Sequence, residues 1–131
     1  MHMEMSFPGG LEVNAEVKGF TVRTDQPERV GGGGTAPAPF DLFLASIGTC
    51  AGLYVLQFCQ KRDIDTSQLG VSMETIKDPE TRRIATVRID VRLPEGFPDK
   101  YIPAVRRAVD QCAVKRHILE PPEFVVEAKV V

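Results

Sequence analysis

The run from Leu42 to Phe58 is apolar or small on nearly every side, and no other stretch of the chain limits its architecture as strongly. A helix with one apolar stripe can lie on a surface, but a helix that is apolar all round must be covered on all sides. Pro39 marks its start, since proline at the first helical position gives up only an N–H that would have no partner there. Lys61, Arg62 and Asp63 mark its end. The run is nearly long enough to span a bilayer, and Gly48 and Gly52 form a small-xxx-small pair. Ser46, Thr49 and Gln57 argue against that reading, as do several amphipathic strands that need something apolar to cover. The expectation is a central helix in a water-soluble core, with no membrane partner.

Those strands are legible as period-two alternation. Leu11, Val13, Ala15 and Val17 alternate with Glu12, Asn14 and Glu16, and after Lys18-Gly19 the pattern resumes through Phe20 and Val22, giving a hairpin with Arg23 on the face opposite Val22. Residues 25–39 form a loop. A second hairpin joins Leu69, Val71 and Met73 to Val87, Ile89, Val91 and Leu93 across the Asp78-Pro79-Glu80 cluster. Ile102, Val105, Val109 and Cys112 recur at helical spacing, with Pro103 in the first turn, so Cys112 faces the interior. A short helix through His117 stops at Pro121 and Pro122, and Phe124, Val126, Ala128 and Val130 alternate as a closing strand. The predicted order, β-β-α-β-β-α-β, is α+β with antiparallel pairing.

A chain of 131 residues, 43% of them hydrophobic, can bury one core, so residues 1–131 are expected as a single domain. Met1-His2-Met3 resembles a cloning remnant and is expected to add nothing to the fold. With a net charge of −2 and scattered Lys and Arg, there is no basic track for nucleic acid. Three cysteines and no apolar leader point to the cytoplasm. Gly31–Gly34 lack a following Gly-Lys-Ser or Gly-Lys-Thr and suit a flexible turn better than a phosphate cradle. Cys112 and His117 have no second ligand pair nearby, so no metal is expected, nor any cofactor.

Chemistry, if present, rests on cysteine. Cys50 and Cys59 lie nine positions apart (59 − 50) on one helix, and at about 100° per residue their sulfurs leave opposite faces. Cys112, on the other main helix, is the remaining partner that packing could bring to Cys50. By residue type alone, all three are equally readable as small buried hydrophobes.

The run Pro39-Phe40-Asp41-Leu42-Phe43-Leu44-Ala45-Ser46-Ile47-Gly48-Thr49-Cys50 resembles the first-cysteine motif of the OsmC/Ohr family, and Gln111-Cys112-Ala113-Val114 resembles the second. Ala113 stands where many members have Pro. The order of elements is similar along almost the whole chain. This resemblance implies an intertwined homodimer with antiparallel-rich sheets around two central helices. It further implies a thiol-dependent peroxidase in which Cys50 attacks an organic hydroperoxide, Cys112 resolves the sulfenic acid as a disulfide, and a dithiol or small thiol resets the pair. Members of the peroxidase branches hold an Arg near the thiolate, for which Arg29 is the first candidate and Arg23 the second. They also carry Glu directly after the proline corresponding to Pro39. Here that position is Phe40, and the acid, Asp41, comes one residue later. The second reading is a small hydrophobic ligand-binding or redox-sensing protein of the same fold.

Overall fold

The computed structural model describes residues 1–131 and is α+β, with three helices and two small antiparallel sheets. Two compact units, Met1–Ala45 and Ser46–Val131, divide the chain.

The first unit is built on a three-stranded meander, β1 (Glu4–Gly9), β2 (Glu12–Val17) and β3 (Phe20–Thr24), in that spatial order. Lys18 and Gly19 have φ of 50° and 80°, so the predicted β2–β3 hairpin closes through a two-residue turn with both central residues left-handed, which matches the twist of the strands. β1 was not expected. Its Met5 and Phe7 do alternate with Glu4 and Ser6, but Pro8 argues against a strand by removing a ladder N–H. The structure accommodates it with a register shift between Ser6 and Gly9. Met5, Ala15 and Val22 stand opposite one another across the sheet, and Phe7 and Phe20 remain exposed.

Residues 25–37 correct the expectation of a flexible glycine turn. Asp25, only 1% exposed, accepts the N–H groups of Gln26 (2.7 Å), Gly33 (3.1 Å) and Thr35 (3.1 Å) and the hydroxyl of Thr35 (2.9 Å). Its own N–H donates to the carbonyl of Pro37, closing the loop at 3.2 Å. A Cβ on Gly32 would lie 2.0 Å from the carbonyl oxygen of Gln26, so only glycine fits there. The tract is glycine because its backbone is crowded against itself.

Helix α1 (Pro39–Gln60) begins in the first unit and runs into the second. It is long and apolar enough to cross a bilayer. Its burial is one-sided, which differs from the all-round burial expected: Ile47, Ala51, Val55, Phe58 and Cys59 are buried at helical spacing, whereas Phe43 and Leu53 are exposed. In the second unit the hairpin β4 (Gly70–Lys77) and β5 (Ile84–Arg92) pairs Val71 with Val91 and Met73 with Ile89. Asp78 shapes its turn by accepting the N–H groups of Glu80 and Thr81. Val55, Phe58 and Val105 form the core, with Val91, Phe97 and Tyr101 packed around them.

Two expectations for the carboxyl-terminal third are corrected. Helix α2 (Ile102–Asp110) stops before Cys112, which instead has extended backbone (φ −51°, ψ 124°) and caps α3 (Ala113–Leu119). The alternating segment Phe124–Val130 forms no strand, and Phe124, Val126 and Val130 are almost fully exposed. Alternation supplies a strand with a face, but its N–H and C=O groups also need a neighbouring edge to pair with, and this segment has not taken one within the chain.

Candidate active site

Cys50 lies midway along α1, half-buried, one turn after the buried Ile47. Cys112 is 2% exposed. Both are free thiols, and they lie near enough for each to act on the other's ionisation. The break between α2 and α3 produces this arrangement. The first N–H groups of a helix have no partner within it, and as α3 starts at Ala113, the N–H groups of Ala113 and Val114 donate to the Cys50 sulfur.

Burial is the largest influence on the Cys50 thiol and pushes its pKa up. The hydrogen bonds from the Cys112 thiol, Val114 N–H and Ala113 N–H together outweigh it, and the net displacement is downward. Cys112 moves the other way: burial raises it, and donating to Cys50 raises it further, against the N–H groups of Lys115 and Val114. Of the two, Cys50 is the thiol whose ionisation is favoured and Cys112 the one that holds its proton more tightly, a half-exposed nucleophile beside a buried thiol.

Cys59 is fully buried and its thiol is pushed up by that burial, with Arg62 opposing, which keeps it protonated and inert. The other expected site residues all lie in the first unit. Arg23 is exposed on β3, across from Asn14. Arg29 is exposed in the single 3-10 turn Glu28–Val30 inside the loop held by Asp25. Asp41, in the first turn of α1, accepts the N–H of Ala38, the residue just before the helix, at 3.1 Å. Phe40 stacks on Phe43 with ring centroids 5.6 Å apart.

Sequence reasoning missed the Ala113 and Val114 N–H groups, because backbone donors leave no side-chain signature. It also missed Asp25, whose signal was an acid shortly before a glycine tract. A groove of about 630 Å³ opens in the second unit, floored by Ile47, Ile89, Val91, Val105 and Val109 with Arg106 at its polar wall. The cysteines do not line it. Ile47 and Val109, each three residues before a cysteine, do.

A model of OsmC-like proteins matches residues 31–127. Among solved structures, a Psychrobacter arcticus 273-4 protein described as an osmotic stress induced and detoxification response protein is similar, with 21% identity, a TM-score of 0.72 and coverage of 87% of this chain and 85% of that one. An Aquifex aeolicus VF5 hypothetical protein gives 15%, 0.63, 92% and 87% for the same measures. A Legionella pneumophila protein described as the organic hydroperoxide resistance protein OsmC gives 19%, 0.54, 90% and 89%. Comparison with curated proteins found no match. The chain belongs to the OsmC-like protein family, and this membership suggests a redox or peroxide-related role.

Proposed function

We propose that this protein is a thiol-dependent peroxidase that reduces organic hydroperoxides. The reading rests on two free thiols, Cys50 and Cys112, near enough to act on each other's ionisation, with Cys50 the more readily ionised of the two. The thiolate attacks the terminal peroxide oxygen, the O–O bond breaks, and the alkoxide leaves as an alcohol after taking a proton. Cys50 becomes a sulfenic acid, which the Cys112 thiol attacks to form a disulfide and water. A dithiol or small-thiol reductant then supplies two electrons and two protons to restore both thiols. The family resemblance alone makes Arg29, with Arg23 as the alternative, the candidate cation for this chemistry. Asp41 is the accompanying acid, with one oxygen already engaged by Ala38.

Reduced protein treated with one equivalent of cumene hydroperoxide should form a Cys50–Cys112 disulfide by peptide mapping, faster than with hydrogen peroxide. Slow oxidation with no preference between the two would overturn the assignment.

Ala113→Pro tests the thiolate stabilisation by itself. Proline suits the first position of α3 but lacks the N–H that reaches Cys50. The pKa of Cys50 should rise, so its pH–rate curve for alkylation moves to higher pH and the rate at neutral pH falls roughly threefold to tenfold. An unchanged curve would remove that amide from the mechanism.

We infer that the working form is a homodimer. Phe7, Phe20 and Leu53 are exposed, and the strand-patterned segment after Pro122 is unpaired, features that a second copy would cover. Light scattering on the eluting protein should give twice 14.4 kDa; a monomer at micromolar concentration would refute this.

The second reading, a binder of small hydrophobic molecules or a redox sensor, is favoured by the apolar groove and by Phe40. Native mass spectrometry of the purified protein decides it: a co-purifying apolar ligand supports the reading, and a clean mass counts against it.

A further inference from the structure

In the groove of the second unit an apolar floor meets a guanidinium that has no partner within the protein. The charged side chains that reach this groove are Asp90, Arg106, Asp110 and Lys115. Lys115 and Asp110 form an ion pair with each other. Asp90 alternates with Ile89 and Val91 along β5, so its carboxylate leaves the opposite face of the strand, the face it shares with Arg88 and Arg92. Arg106 is left over: it is exposed and takes part in no ion pair or hydrogen bond. An apolar chain lying on the floor is favoured by its removal from water, and the cavity, about 630 Å³, is of a size that encloses a small molecule. An uncharged chain would leave the guanidinium unused. A carboxylate on the chain would engage it through two parallel N–H donors, the strong form of this contact.

The groove also lies next to the thiols within the same unit. Ile47 precedes Cys50 by one turn on α1, Val109 precedes Cys112 by three residues, and Arg106 precedes Val109 by one turn of α2. Along α2 the guanidinium therefore stands farther from Cys112 than Val109 does, with apolar floor in between. We propose that Arg106 is a specificity-determining residue, recognising the acidic end group of a molecule whose apolar chain lies in the groove. Under the peroxidase reading, on which this half rests, that molecule is an amphipathic hydroperoxide with its peroxide toward Cys50 and its carboxylate at Arg106. As a binding site for an apolar acid, the groove does not depend on that reading.

Two probes separate the halves. Dodecanoate, which has the chain and the acid but no peroxide, is titrated by calorimetry into the reduced full-length protein. Consumption of a long-chain hydroperoxy acid is then compared with that of its methyl ester, which has the same chain without the charge. Wild-type protein should bind dodecanoate, and Arg106→Gln should bind it roughly tenfold more weakly. Arg106→Lys should fall between them, since an ammonium keeps the charge but not the planar fork. In turnover, Arg106→Gln should lower kcat/KM for the acid by a similar factor through KM, with kcat and the ester unchanged.

Dodecanoate affinity that Arg106→Gln leaves unmoved overturns the proposal, and so does an unmoved preference for the acid over the ester. Full-length protein that binds no dodecanoate overturns it as well, the result expected if the chain's own carboxyl-terminal segment or a second copy fills the groove. Cumene hydroperoxide turnover in that case shows that the peroxidase reading survives without this site. Arg106-dependent binding of dodecanoate in a protein that consumes no hydroperoxide supports the acid site and overturns the peroxidase reading.

Discussion

Cys50→Ser should lower hydroperoxide consumption by at least about a thousandfold, equivalent to a loss of more than about 4 kcal/mol of transition-state stabilisation. A serine hydroxyl is not ionised near neutral pH, so the donors that favour a thiolate at position 50 find no anion to stabilise. Substitutions at Cys112 divide the mechanism further. Cys112→Ser keeps an O–H donor toward Cys50 but cannot form the disulfide, so the first oxidation should proceed at close to the wild-type rate and stop at a sulfenic acid that dimedone traps. Cys112→Ala also removes the donor, and its first oxidation should be slower. Peroxide decay followed by a ferrous-dye assay, with mass spectrometry of the trapped adduct, measures each step. A Cys50→Ser protein that consumed hydroperoxide at the wild-type rate would show that the chemistry lies elsewhere.

The parts of this site that could be read from the sequence are those governed by local periodicity. Alternation located β2, β3, β4 and β5, and the apolar run with Pro39 located α1. The burial of Cys112 followed from its spacing to Val109, although the helix had ended by then. What could not be read depends on contacts between distant residues. The meeting of Cys50 with Cys112 spans the whole β4–β5 hairpin, and residue types alone left it open. The donors to Cys50 are main-chain atoms that any residue except proline would supply, so no pattern announced them. The glycine tract misled because composition signals mobility, whereas the crowding that makes Gly32 obligatory depends on where Gln26 lies. Phe124–Val130 misled for the opposite reason: the alternation is real, but a strand is defined by the edge it pairs with.

Phe58→Ala should cost about 3–5 kcal/mol of stability, a large share of the roughly 5–15 kcal/mol typical of a domain. Phe58 is 7% exposed and sits at the centre of the second unit's core. Its ring meets Tyr101 edge-on at 5.9 Å and Phe97 at 6.4 Å, and the Arg62 guanidinium lies 3.6 Å over its face. Truncation empties the space between α1 and the Phe97–Tyr101 segment and leaves Arg62 only the more distant Tyr101 ring, 5.3 Å away, so the cavity and the weakened cation–π contact act together. Phe58→Leu, which keeps most of the volume, should cost less than about 1.5 kcal/mol. Urea denaturation with a fixed slope gives both values from the midpoints. The two costs must differ as stated if packing is the cause, and a midpoint for Phe58→Ala close to that of wild type would show that this cluster is not the core of its unit. At urea concentrations where the variant is still folded, the alkylation rate of Cys50 separates stability from chemistry. Phe58 lies about two turns beyond Cys50 on α1 (58 − 50 = 8) and donates nothing to its sulfur. That rate should therefore hold, and a parallel fall would mean that the seating of α1 by Phe58 also sets the register between Cys50 and the start of α3.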